Sequence, residues 1–354
     1  FDHKNTEALS NIGLSYLKKK NYNEAITHFK KVLEMKPNNV IALTNLSVSY
    51  IELKENFKAI EICEKILKID KNNENALINL STAYFNIKDY NSSVNYCLKV
   101  LTFNELTEDA LVNISLSFIE LKKFEEVLKF LGKLLLIDSK MPIALYLLGK
   151  TYLSLDNLVK SLDYFNKIIL NNVTEKKILF ENQLVINSII NKAFILYELK
   201  RYEEAKETIK NTWFYLEEYK EGSNINTFSE YYYTYSLIIH EENLDEAIEY
   251  INKAIKYDNS RYDFYMQTAF YYYLKNDKEL FYENMNKSIE LKKTNKDEQF
   301  KVSFVDGKPI IEKTYKKVKI PEDIFFEMIN EINERKAKEQ EIRLQERNKV
   351  IADL

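Results

Sequence analysis

Five glycines, four prolines and one tryptophan are spread over 354 residues. Glycine and proline punctuate turns and strands, so their scarcity argues against a turn-rich or strand-rich fold. It favours many helices joined by short links. Cysteine is almost missing: Cys63 and Cys97 form no CxxC pair, and no His/Cys cluster has metal-ligand spacing. No glycine-rich phosphate loop is present. No apolar run approaches the roughly 18 residues that a membrane-spanning helix needs. Charge of one sign is missing too. With 51 basic and 54 acidic residues the net charge is −3, and no basic stripe points to nucleic acid.

Candidates for catalysis are few. His3, His28 and His240 are scattered and read as surface or boundary histidines. Cys63 and Cys97 read as small buried hydrophobes. No nucleophile, base and orienting group fall together, so the expectation is a protein that is not an enzyme and takes no cofactor or metal. Lys, Asn, Ile, Tyr and Phe are abundant, and all have A/T-rich codons. Codon bias therefore accounts for much of the Asn and Tyr content.

What the chain does have is a period. Tyr16, Tyr50, Tyr84, Phe118 and Tyr152 recur every 34 residues, as do Leu9, Leu43, Leu77, Leu111 and Leu145. Ala25, Ala59, Ser93, Val127 and Ser161 form a third series. Phe29, Cys63, Cys97, Leu131 and Phe165 form a fourth. Such self-similarity marks a stacked supersecondary unit. Each unit reads as two helices: Leu9, Ile12, Gly13 and Tyr16 share one helical face, and Tyr22, Ala25, Phe29 and Val32 share another. Polar links such as KKKN (18–21) join them, and KPNN (36–39) or DKNN (70–73) breaks the second.

This pattern resembles the tetratricopeptide repeat family, with Gly13, Tyr16, Ala25, Phe29 and Pro37 in the first unit and Gly149, Tyr152 and Phe165 in the fifth. Ser47, Ser81 and Ser115 stand in place of the glycine, and units two to four lack the proline. The resemblance implies an all-α, right-handed α-solenoid of about eight helix pairs. Residues 1–173 are expected to hold five regular units. Residues 174–295 are expected to hold three more with insertions, since RYEEA (201–205) and NLDEA (243–247) repeat NYNEA (21–25) at longer spacing. The first insertion is expected to lengthen the helix before Tyr197, and EGSNINT (221–227) to form a loop. Residues 296–354 are expected to form a hairpin turning at Asp306-Gly307 and then a charged helix from Ile320 that caps the stack.

One polar position repeats inside the apolar pattern. Asn11, Asn45, Asn79 and Asn113 hold the sixth position of four consecutive units, Leu147 interrupts, and Asn191 resumes. Tyr233 and Gln267 hold the position in units seven and eight. The fifth position drifts through Ser10, Thr44, Ile78 and Val112 while the sixth stays Asn. In the family this face lines the concave groove, so the resemblance implies a ladder of amides that could bind a peptide backbone. Two other readings stay open: the amides bond their own neighbours and stabilise stacking, or they are inherited copies swollen by codon bias. The family's cationic clamp for C-terminal carboxylates is missing, since its second positions are Glu7, Ile41, Asn75, Asp109 and Ile143.

The expected function is therefore a scaffold or adaptor binding a protein or peptide segment. The alternative is a structural subunit of a larger membrane-associated, secretion or motility assembly. The chain begins at Phe1 without methionine. A cytoplasmic location is the expectation, or an envelope-associated one if a segment precedes it.

Overall fold

The computed structural model describes residues 5–173, 183–218, 225–294, 302–305 and 308–311, together with Met328, Asn330 and Lys338. It divides into two units, Phe1–Asn171 and Asn172–Leu354.

The first unit is a run of antiparallel helix pairs. These are α1 (Thr6–Lys18) with α2 (Tyr22–Met35), α3 (Val40–Glu52) with α4 (Asn56–Ile69), and α5 (Glu74–Asn86) with α6 (Tyr90–Phe103). They continue as α7 (Glu108–Glu120) with α8 (Phe124–Ile137), and α9 (Pro142–Ser154) with α10 (Leu158–Val173), whose last turn crosses the boundary. Each helix packs on the next, and each first helix also meets the first helix of the following pair.

The ends of the helices are set by local chemistry. Asn5, Asn39 and Asn73 sit just ahead of α1, α3 and α5, and their side chains accept from backbone N–H groups of the first turn. The second asparagine of each KPNN or DKNN link is thus a cap that starts the next helix. At the other end, the first helices stop on a left-handed residue. After α1, Lys20 has φ 58°. Its N–H donates to the Leu17 carbonyl, and the Asn21 N–H donates to that of Tyr16. Glycine usually holds this position because it has no Cβ to strain. Here Lys20, Lys54, Lys88 and Lys122 hold it, followed by Asp156.

Within a pair the helices cross where the eighth residue of the 34-residue unit, on the first helix, meets the twenty-fourth, on the second. Gly13 lies against the Phe29 ring, and a Cβ on it would sit 2.7 Å from that ring. Gly149 meets Phe165 in the same way, at 2.8 Å. Serine at 47 and 81 is paired instead with Cys63 and Cys97, and all four are fully buried. A small residue on one side admits a ring on the other, or the two sides share the volume.

The second unit holds α11 (Gln183–Glu198), α12 (Tyr202–Glu218), α13 (Ile225–Ile239), α14 (Leu244–Tyr257), α15 (Tyr262–Leu274) and α16 (Lys278–Thr294). α11, the helix before Tyr197's end of the repeat, runs 16 residues against 13 for α1. The expected loop at 221–227 is shorter at its far end, because Ile225, Asn226 and Thr227 already belong to α13. Residues 221–224 lie outside the described residues. Strands β1 (Val302–Val305) and β2 (Lys308–Ile311) pair antiparallel with Val305 opposite Lys308. Asp306 and Gly307, where the turn was expected, lie outside the described residues. So does most of the expected capping helix, of which Met328, Asn330 and Lys338 are described and helical.

Candidate functional site

The repeated asparagines all fall on first helices: Asn11 on α1, Asn45 on α3, Asn79 on α5 and Asn113 on α7. Asn11 is exposed and the other three are half-buried. Their bonding differs along the row. The Asn79 Nδ2 donates to the Ser47 Oγ of the preceding pair at 2.9 Å. The Asn113 Nδ2 donates to the Ser81 Oγ and the Thr82 Oγ1, both at 2.9 Å. Each acceptor serine passes its own hydrogen back into its helix, Ser47 to the Thr44 carbonyl and Ser81 to that of Ile78.

Asn45 has no such partner, because Gly13 stands where a hydroxyl would be needed. Among the described residues, the side chains of Asn11 and Asn45 make no hydrogen bond, and no donor reaches the Asn79 or Asn113 carbonyl oxygen. A carboxamide offers two donors and an acceptor. Asn11 and Asn45 are therefore wholly unspent, Asn79 has used one donor and Asn113 both, and the carbonyl oxygens of all four are open.

The row ends at α9. Leu147 is buried there, and the Ser115 Oγ turns back to its own Leu111 carbonyl at 2.7 Å. Asn191 is half-buried on α11 and donates within its helix to the Asn187 carbonyl at 2.6 Å. Tyr233 and Gln267 are 3% and 0% exposed, so neither faces outward. On α15 the buried set runs through Asp263, Phe264, Met266, Gln267, Thr268, Ala269, Phe270 and Tyr271, which covers the helix all round. The Tyr233 ring packs on Phe264 at 4.9 Å. Beside it Arg261 bridges Glu230 and Asp263, each at 2.7 Å, with its guanidinium 4.3 Å from the Phe264 ring centre. Burial, then the nearby Asp263 carboxylate, pushes the Tyr233 phenol well up.

The remaining chemistry-bearing groups are placed as follows. His28 stacks on Tyr16 at 5.5 Å, and His240 lies among Tyr197, Phe270 and Tyr271. Burial pushes the Cys63 and Cys97 thiols up to about 11, only partly offset by the Ser47 and Ser81 hydroxyls. The thiolate is the reactive form, so neither is activated. A disulfide reagent at pH 8 is expected to leave both thiols unmodified until urea unfolds the chain. The linkage has a definite sign. Unfolded thiols release protons near pH 8.5 and folded ones only near 11, so stability is level below that window and falls as pH rises through it. Urea midpoints measured from pH 7 to 11 check this. Among the described residues no group of three or more His, Cys, Asp or Glu could hold a metal ion. No described helix is long and apolar enough to cross a membrane.

Comparison with known proteins finds tetratricopeptide repeats in part of the chain. Sequence models of the tetratricopeptide repeat match residues 6–39, 40–73, 74–105 and 230–261. No curated protein matches the chain. Solved structures share its fold. The Cut9-Hcn1 hetero-tetramer of the APC/C aligns with TM-score 0.60 at 14% identity, over 80% of this chain and 52% of that one. The chain thus spans about half the length of that relative. A tetratricopeptide repeat protein from Parabacteroides merdae aligns with TM-score 0.56 at 16% identity, over 80% and 98%. PilW, a type IV pilus biogenesis factor, aligns with TM-score 0.53 at 18% identity, over 62% and 98%.

Proposed function

We propose that this chain, a member of the tetratricopeptide repeat family and so a protein-interaction scaffold, holds an extended segment of a partner along the first helices of its regular pairs. The observation that carries the reading is the row of open amide carbonyl oxygens at Asn11, Asn45, Asn79 and Asn113, with amide hydrogens still free on the first three. An extended backbone offers alternating N–H and C=O groups, which carboxamides match without reading side chains. Each neutral bond contributes about 0.5–1.5 kcal/mol net. Ordering the segment costs a few kcal/mol, so amides alone give weak binding and partner side chains must add to it.

Asn45 separates this reading from simple stacking. Asn79→Ala removes one bond to the preceding pair and Asn113→Ala two, and stability is expected to fall by about 0.5–1.5 kcal/mol per bond. Asn45→Ala removes none and is expected to leave the urea midpoint unchanged while weakening partner capture. If Asn45→Ala also leaves capture unchanged, the row serves stacking alone.

A second reading, a permanent subunit of a larger assembly, has its own observation. Met35, Ile69, Phe103 and Ile137 end α2, α4, α6 and α8 and are 38–50% exposed. A repeated apolar edge of this kind suits lasting contact. Solved structures of the same fold include a hetero-tetramer of the APC/C and a type IV pilus biogenesis factor. Ile69→Lys with Phe103→Lys is expected to abolish a stoichiometric complex under this reading and to leave groove binding intact.

A further inference from the structure

We infer that the second unit carries a separate docking pocket for a partner segment presenting one aromatic side chain beside acidic residues. It goes beyond the amide row, which lies on other helices, and rests only on the chain being an interaction scaffold.

The pocket is built by α12, α13 and α14. Tyr231, Tyr232 and Tyr235 of α13 meet Trp213 of α12 on one side and Tyr250 of α14 on the other, around a space of about 300 Å³. Helical spacing explains the convergence. Lys210 and Trp213 are three apart on one face of α12, as Tyr250 and Lys253 are on α14. Trp213 lies 5.8 Å from Tyr231 and 6.1 Å from Tyr232, and Tyr235 stacks on Tyr250 at 4.4 Å. The repeat itself marks the place. Counted back twelve residues from Ala25, Ala59, Ser93, Val127, Ser161 and Ala205, the crossing position is Gly, Ser or Ala, but from Ala247 it is Tyr235.

Size and charge choose the occupant. About 300 Å³ is the lower limit for small-ligand sites, so it takes one bulky side chain rather than an extended cofactor. Ring faces alone would favour a cation. Here Lys253 already lies over them, its Nζ 4.9 Å from the Tyr250 centre and 5.9 Å from that of Tyr232. A second cation would be repelled. Lys253 shares its charge with Glu249 at 2.6 Å, while exposed Lys210 makes no ion pair among the described residues. The lining carries two lysines and no carboxylate, with Glu246 acting on Tyr235 and Tyr250 from outside it, so the Lys210 side of the rim favours negative charge next to a neutral ring. Burial pushes the Tyr232 and Tyr235 phenols up to about 12, which keeps them neutral donors for a segment's carbonyl oxygens.

Trp213, the single tryptophan of the chain, reports on the site. The probe is a blocked pentapeptide with phenylalanine between two pairs of glutamates, added to the full chain while tryptophan emission is followed. A saturable change is expected. It should need at least tenfold more peptide when lysines replace the glutamates, or alanine the phenylalanine. Lys210→Glu with Lys253→Glu should reverse the charge preference, with circular dichroism checking the fold. Added salt should weaken the glutamate peptide on the unmodified protein, whatever the variants do. Asn45→Ala should leave the emission response unchanged, so this pocket and the amide row fail or stand separately. No saturable change, an equal response to all three peptides, or no salt effect overturns the proposal. Phenylacetate binding as tightly as the peptide would assign the pocket to a small aromatic acid and overturns the segment reading too.

Discussion

Serine at position 149 is expected to destabilise the fold by about 1–3 kcal/mol, because its Cβ would press into a close-packed ring. The ring is that of Phe165, 2.8 Å from where the Cβ must sit. Phe165 is fully buried and cannot swing into solvent. Phe165→Cys alone is expected to cost about 3–4 kcal/mol through the cavity it leaves. The two together are expected to cost at least about 1 kcal/mol less than their sum, since each relieves the other. The chain contains the double variant already: Ser47 with Cys63 and Ser81 with Cys97 occupy the equivalent crossings, with the hydroxyl in reach of the thiol. Urea unfolding of the four proteins completes the cycle. Additivity within about 0.5 kcal/mol would refute a coupling between the two positions.

Those crossings also show what a sequence discloses. The series through Gly13, Tyr16, Ala25 and Phe29 is strongly periodic, and it marks the helices, their pairing and the resemblance to tetratricopeptide repeats. Periodicity works because burial repeats with the fold. The amide row was legible as a row, but its bonding was not. Whether Asn79 donates to Ser47 depends on a partner 32 residues away and on rotamers, neither of which a pattern contains. Tyr233 and Gln267 were expected in the groove from phase alone. Phase fixes a helical position, not how many sides of the helix are covered, and α15 is covered on all of them. The caps at Asn39 and Asn73 were readable in principle, since Asn before an apolar run is a start signal. The pattern alone marks them only as breakers of the preceding helix. The aromatic pocket has two signals in the sequence, the tyrosine-rich run EYYYTYSL (230–237), which reads as core packing or as an aromatic groove, and a tyrosine at a position otherwise small.

Glycine at positions 20, 54 and 122 is expected to stabilise the chain by about 1.5–3 kcal/mol in total. The lysines there have φ of 58°, 60° and 57°. A left-handed conformation costs a residue with a Cβ about 1–2 kcal/mol. Glycine removes that strain but adds freedom to the unfolded chain, about 0.4–1 kcal/mol per site. The remainder is a gain of roughly 0.5–1 kcal/mol each. Lys18→Gly is the control. It lies within α1 rather than at the turn, and glycine there is expected to cost up to about 1 kcal/mol. Thermal melts of the triple variant and the control should move in opposite directions. A triple variant no more stable than the parent would mean that the lysine side chains contribute contacts of their own. Asp156 and Asn276, which hold the same left-handed turn at 63° and 57°, belong to residue types that tolerate it better, and should respond less.

The contacts of the first unit run only between near neighbours along the chain. In mechanical terms it is a set of springs in series. Pulled from its ends, it adds up the compliance of every joint, while its strength is that of the weakest one. Asn79 and Asn113 tie α5 to α3 and α7 to α5. Between α7 and α9 the tie is gone, with Leu147 in place of the amide and Ser115 bonded to its own helix. Strain applied to this unit should therefore concentrate at the first and fourth joints, since Asn45 makes no tie from α3 back to α1 either, and the stack bends or opens first at the two ends of the tied stretch.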